Sequence, residues 1–162
     1  MEELMKKFFI SISCLFVLLT SACSNNYERS TESGSLKAVQ LPEMEEKMAN
    51  GDTFMMIFSQ TNCSHCKKFK EDVLAGYIVD HGIEVFDVVF DKQDSMDPVF
   101  AFIKEHPNPS EFLTEDMDAE APYTPTFYFI EKGEVKDIWI GEMSEERFDN
   151  YVQKYRLDEV KG

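Results

Sequence analysis

The sequence predicts an α/β domain with a central mixed sheet and helices on both faces. Three observations predict it. Apolar runs of strand length alternate with segments whose apolar residues recur every three or four positions. One run, Phe54-Met55-Met56-Ile57-Phe58, is apolar throughout, as befits a strand covered on both sides. The chain then closes on a hairpin pattern followed by an amphipathic helix. With 162 residues, 43% of them hydrophobic, there is material for one domain of ordinary size and an appendage.

The appendage comes first. Lys6 and Lys7 form a basic n-region, Phe8 to Leu19 a short apolar core, and Thr20-Ser21-Ala22 a run of small residues before Cys23. An apolar core this short suits a signal peptide better than a spanning helix. The closing pattern resembles a bacterial lipobox, in which the cysteine is lipidated and becomes the first mature residue, although Thr20 stands where Leu is commonest. Ordinary secretory cleavage near Ala22 is the alternative. Residues 1–22 are therefore expected to be a lipoprotein-type signal peptide, and Cys14 leaves with it. Residues 23–35, rich in Ser, Asn and Glu without apolar periodicity, are expected to be a flexible tether. Residues 36–160 form the folded domain.

Within that domain Leu36-Lys37-Ala38-Val39 is a weak first strand. Pro42 to Ala49 suits a short helix with Pro near its start and Asn50-Gly51 as its stop. Met44 and Met48, four apart, read as packing. Thr53 to Phe58 is the central strand. Beyond it Phe69, Val73, Leu74, Tyr77 and Ile78 form one helical stripe, which Gly82 ends, and His81 is expected to satisfy the last carbonyls. Ile83 to Phe90 is the next strand, and Asp91 opens a polar loop. Pro98 to Ile103 looks helical, His106-Pro107-Asn108-Pro109 breaks it, Ser110 to Leu113 adds a turn, and Glu115 to Glu120 is an acidic loop. Thr126 to Ile130 and Val135 to Ile140 make the hairpin around Glu131-Lys132-Gly133-Glu134. Ser144-Glu145-Glu146 opens the last helix, with Phe148, Tyr151, Val152 and Tyr155 on one face.

Thirty-one acidic residues against sixteen basic ones give a formal charge of −15. Nucleic acid and anionic lipid surfaces would repel such a chain, which excludes them as principal ligands. The acidity reads as a solvated surface.

The chemistry gathers at Cys63-Ser64-His65-Cys66, where the central strand gives way to a helix. A cysteine at a helix N-terminus is favoured as thiolate, the form that attacks disulfides. The two-residue gap brings both sulfurs within one turn, close enough to bridge reversibly. The stretch reads as a dithiol/disulfide exchange site. Half of a zinc site, a structural disulfide and an inert buried pair are the other readings of the same four residues; zinc would need two further ligands, and His81 and His106 stand alone.

With Tyr123-Thr124-Pro125 ahead of an apolar strand, and Lys132-Gly133-Glu134-Val135, Gly141 and a terminal helix after it, the chain from Leu36 to Tyr155 resembles the thioredoxin superfamily. The resemblance implies a thioredoxin-like fold with a helical and loop insertion between Asp91 and Ala121, ahead of the cis-proline strand. It implies that Cys63 is the exposed nucleophile and Cys66 the buried resolving thiol. Pro125 would be cis, holding the Thr124 backbone open to pair with a substrate segment. Ser64 and His65 would tune the thiolate, His65 toward a more oxidising pair. Two departures matter. The family's buried Asp, six residues before the first cysteine, is Ile57 here. Asp87, on the adjacent strand, is the candidate to replace it as proton acceptor, against the alternative of an exposed acid on a shifted register. The usual Trp before the first cysteine is Asn62, and Trp139 reads as hairpin packing.

The stretch Cys66-Lys67-Lys68-Phe69 further resembles extracytoplasmic thioredoxin-like lipoproteins, including those named bacteriocin transport accessory proteins. The expectation is a thiol-disulfide oxidoreductase, lipid-anchored through Cys23 outside a bacterial cell membrane. It would exchange disulfides with exported client proteins and be recycled by a membrane redox partner, using no cofactor and no metal. An accessory lipoprotein that binds an exported peptide without redox turnover is the alternative.

Overall fold

The computed structural model describes residues 27–160. The expected signal peptide, residues 1–22, and Cys23 therefore lie outside the described residues. Five strands form one mixed sheet: β1 (Ser35–Ala38), β2 (Phe54–Ser59), β3 (Glu84–Val89), β4 (Thr126–Glu131) and β5 (Glu134–Ile140), in the order β1-β3-β2-β4-β5. The first three in that order run parallel, and β4 and β5 are antiparallel to their neighbours. The four main helices are α1 (Leu41–Ala49), α2 (Ser64–Phe69), α3 (Asp97–Glu105) and α4 (Glu145–Lys154). α2 runs on through a π-helical stretch, Lys70–Leu74, into a last turn at Ala75–Tyr77.

The continuous apolar character of β2 has the cause expected of it: all six residues are buried, and alternate side chains feed two cores. Phe54, Met56 and Phe58 face one core, which α1 fills with Leu41 and Met44 and α3 with Val99, Phe102 and Ile103. Met55 and Ile57 face the other, filled from α2 and its continuation by Phe69, Leu74 and Tyr77 and from α4 by Phe148 and Val152. Phe69 meets Phe127 and Phe148 edge-on, at centroid separations of 4.7 and 5.5 Å. These contacts fix the start of α2 over the sheet.

Residues 27–34 depart from the flexible tether expected there. They form a strap across the end of the domain. Arg29 donates to the Asp158 carboxylate at 2.7 Å, to Asp149 at 2.6 Å and to the Tyr77 hydroxyl at 2.7 Å. The Tyr27 hydroxyl donates to the other Asp158 oxygen at 2.6 Å. The Ser30 amide donates to the Asp158 carbonyl and the Val160 amide to that of Glu28. Asp158 is wholly buried, and a buried carboxylate needs a partner. The strap supplies one over a sequence distance of 129 residues, so local composition could not reveal it.

Candidate active site

The site sits beyond the C-terminal end of β2. The Thr61 amide donates to the Asp91 carboxylate at 2.8 Å, tying the descending turn to the end of β3. Thr61, through its side chain first and this amide second, holds the Asp91 carboxyl below the usual carboxylate range. The Cys63 amide donates to the Gln60 carbonyl, closing the turn. Cys63 then takes the N-cap position of α2. Its sulfur lies 3.0 Å from the amide nitrogen of Cys66, whose N–H points at it. A sulfur in that place is stabilised as an anion by the amide and by the helix end behind it.

The two sulfurs are bonded to each other, with their Cα atoms 5.2 Å apart. Cys63 is half-buried, whereas Cys66 is 1% exposed. The difference follows from the fold: the first cysteine ends the turn at the surface, and the second lies one turn into the helix, against the sheet. An incoming thiol or disulfide can therefore meet Cys63 and not Cys66.

The Thr124–Pro125 peptide is cis. It places the Thr124 carbonyl oxygen 3.6 Å from the Cys63 sulfur. Gly141, at φ +93° in the left-handed region open to glycine, donates its amide to the Pro125 carbonyl at 2.9 Å. The proline loop and the turn after β5 are thereby joined beside the dithiol.

That turn brings in a residue the sequence did not single out. Glu142 accepts from Lys68 Nζ at 2.6 Å and pairs with His65 Nδ1 at 2.6 Å. Lys68 first, and His65 second, hold the Glu142 carboxyl below its ordinary range. Buried Met143 and the Trp139 indole N–H, which donates to the Glu142 carbonyl, set the position of this turn. His65 itself is 68% exposed at its side chain, and Ser64 is exposed.

Asp87 resolves the register question left by the sequence. It pairs with Ile57 across the sheet, faces α2 and is 5% exposed. Its carboxylate accepts from the Ser59 hydroxyl at 2.6 Å and from Lys70 Nζ. The Lys70 ammonium also donates to Ser59 at 3.0 Å. Lys70 stands one turn beyond Cys66, its amide donating to the Cys66 carbonyl, at the point where the helix widens into the π-helical stretch. Ser59 and Lys70 were absent from the sequence-derived set. The four-residue spacing of Cys66 and Lys70, which puts both on one helical face, was the available signal for the second.

Other expectations are also placed. The His81 ring stacks on Tyr77 and meets the Tyr77 carbonyl, at the far end of the α2 stretch. Trp139 packs edge-on to Phe112 and beneath the Arg147 guanidinium. Among the described residues no group of three or more His, Cys, Asp or Glu lies close enough to hold a metal ion, and no helix is long and apolar enough to cross a membrane.

The model of a family described as a thioredoxin-like domain matches residues 42–156. No curated protein matches the chain. Among solved structures, the thioredoxin from Aeropyrum pernix is similar with a TM-score of 0.51 at 13% identity, over 80% of this chain and 97% of that one. The Malassezia sympodialis thioredoxin aligns over 74% of this chain and 92% of its own, at 16% identity and a TM-score of 0.46. Thioredoxin O1 from Arabidopsis thaliana, in its oxidised state, aligns over 75% and 98% at 14% identity and 0.46. At such identities the likeness is one of fold. The chemistry of redox type rests on the cysteine pair itself.

Proposed function

The chain belongs to the thioredoxin-like family, and from that premise we propose that it is a membrane-tethered, extracytoplasmic thiol-disulfide oxidoreductase acting on protein thiols. The observation that carries the reading is the asymmetry of the pair: a half-buried Cys63, met by an amide N–H, beside a buried Cys66. Exchange proceeds by sulfur displacement. The Cys63 thiolate attacks a client disulfide, forming a mixed disulfide and releasing one client thiolate. The Cys66 thiolate then attacks the Cys63 sulfur, forms the intramolecular bridge and releases the second client thiolate. The client gains two electrons and the pair loses two. The reverse sequence oxidises a client dithiol. The sulfurs carry the electrons, so the reaction as written uses no cofactor.

The remaining residues take supporting roles. The Thr124 backbone, opened by Pro125, offers an edge for an extended client segment. Ser64 and His65 tune the thiolate, and His65 favours an oxidising pair. Asp87, steadied by Lys70 and Ser59, accepts the Cys66 proton when the mixed disulfide is resolved. Tethering is supported by the sequence from Lys6 to Cys23, whose cysteine is the lipidated residue in this reading. Clients are exported proteins, and a membrane redox partner returns the pair to its working state.

Insulin disulfide reduction combined with trapping tests the proposal. The native chain turns over insulin. Cys66→Ser accumulates mixed disulfides through Cys63, and Cys63→Ser forms none and loses turnover by about a hundredfold or more. Partner binding that survives in Cys63→Ser, with no turnover by the native chain, would instead mark an accessory lipoprotein that binds exported peptides.

A further inference from the structure

We infer that the dithiol is held at the pole of the domain opposite the lipid anchor, so that its membrane recycling partner meets it through a redox-active cysteine pair on a domain projecting beyond the bilayer surface. The inference rests on the proposed lipidation of Cys23.

The topology sets the two poles. β1, β3 and β2 run parallel, and Ser35 is level with Glu84 at the start of β3. Cys63 lies past the opposite end of β2, beyond Ser59. α2 starts at the dithiol and its continuation descends to Tyr77, at the level where the strands begin. The strap is fastened only at that lower pole. The Gly34 amide donates to the Ile78 carbonyl and the Ser33 hydroxyl to that of Val79. Arg29 and Tyr27 hold Asp158, past the C-terminal end of α4. The Arg156 guanidinium covers the Tyr27 ring at 5.5 Å.

The docked strap shortens the leash. If residues 23–35 were all free, the chain would span about 40 Å at ~3.3 Å per residue. With the strap fastened, only Ser24, Asn25 and Asn26 separate Cys23 from Tyr27, a reach of about 14 Å at most. A domain of this size has a radius of gyration of about 14 Å, hence a half-circumference on the order of 55 Å. The leash is too short to roll the upper pole down to the lipid. In recycling, a partner dithiol reduces the Cys63–Cys66 bridge and becomes a disulfide, or a partner disulfide oxidises the pair and becomes a dithiol. Either way the meeting occurs on the far side of the domain from the headgroups.

The test uses the lipidated full-length chain in phosphatidylcholine vesicles containing a phospholipid with a dihydrolipoyl headgroup. Reduction of the Cys63–Cys66 bridge is followed by maleimide trapping, with soluble dithiothreitol as the reference. A second chain carries about twenty Gly-Ser residues inserted between Asn25 and Asn26, which lengthens the leash and leaves the strap untouched. Dithiothreitol is expected to reduce both at one rate, and the lipid dithiol to reduce the long-leash chain at least tenfold faster than the native chain. Equal rates with the lipid dithiol, fast or slow, overturn the inference and leave the oxidoreductase reading standing. A chain whose Cys23 carries no lipid overturns the anchor and this inference together. Loss of reducibility by dithiothreitol would instead strike at the redox site.

Discussion

Cys63 and Cys66 are chemically alike and differ through their places on the turn. One ends the loop, at the surface, and the other lies one turn into the helix, against the sheet. The same helical face carries Lys70, whose part-buried ammonium meets the buried Asp87 and Ser59. If Asp87 accepts the Cys66 proton, Asp87→Asn slows resolution of a Cys63 mixed disulfide by about tenfold or more. Its first step, attack by Cys63, keeps its rate. Stopped-flow trapping separates the two steps, and an unchanged resolution rate ends the assignment. Lys70→Met is the companion variant, because it leaves the carboxylate in place and removes its cation.

At the level of elements, the strap is the feature that can be tested by stability. Arg29→Ala leaves the buried Asp158 with fewer donors and removes two further bonds, to Asp149 and Tyr77. The expected loss is about 2–3 kcal/mol, below that of a wholly buried pair because Arg29 keeps some exposure. Acid should erase part of the difference. Burial works to raise the Asp149 carboxyl, but bonds from Tyr77, Arg29 and Gln153 prevail and set it below its ordinary value of 3.8. An acid depressed in the fold contributes stability that is complete above its unfolded value and is lost as pH falls through the folded one. The gap in Tm between native chain and Arg29→Ala therefore narrows below pH ~4. The strap also marks where sequence reading stops. β2, β3 and the hairpin were legible because their apolar runs are local patterns. So was the dithiol, because its spacing is local. Arg29 and Asp158 meet across nearly the whole length of the domain's sequence, and Glu142 reaches His65 and Lys68 from the turn after β5, 77 and 74 residues further along the chain. No window of neighbouring residues contains either pair. Asp87 lay between, since its burial depended on a register that only the paired strands could settle.

Over the whole molecule, two helices on each face bury one central sheet and leave its two poles with different tasks. The upper pole gathers the dithiol, the cis-proline loop and the turn of Glu142. The lower pole gathers the strap and both ends of the described chain. The formal charge of −15 gives the molecule an acidic surface that anionic lipid would repel. The proposed function requires that the two sulfurs of Cys63 and Cys66 exchange electrons reversibly with other thiols. Equilibration in glutathione buffers of graded ratio, followed by acid quench and thiol trapping, measures it directly. One transition between bridged and free cysteines is expected, fitting a two-electron couple. A pair that stays bridged, or stays free, across every ratio contradicts it.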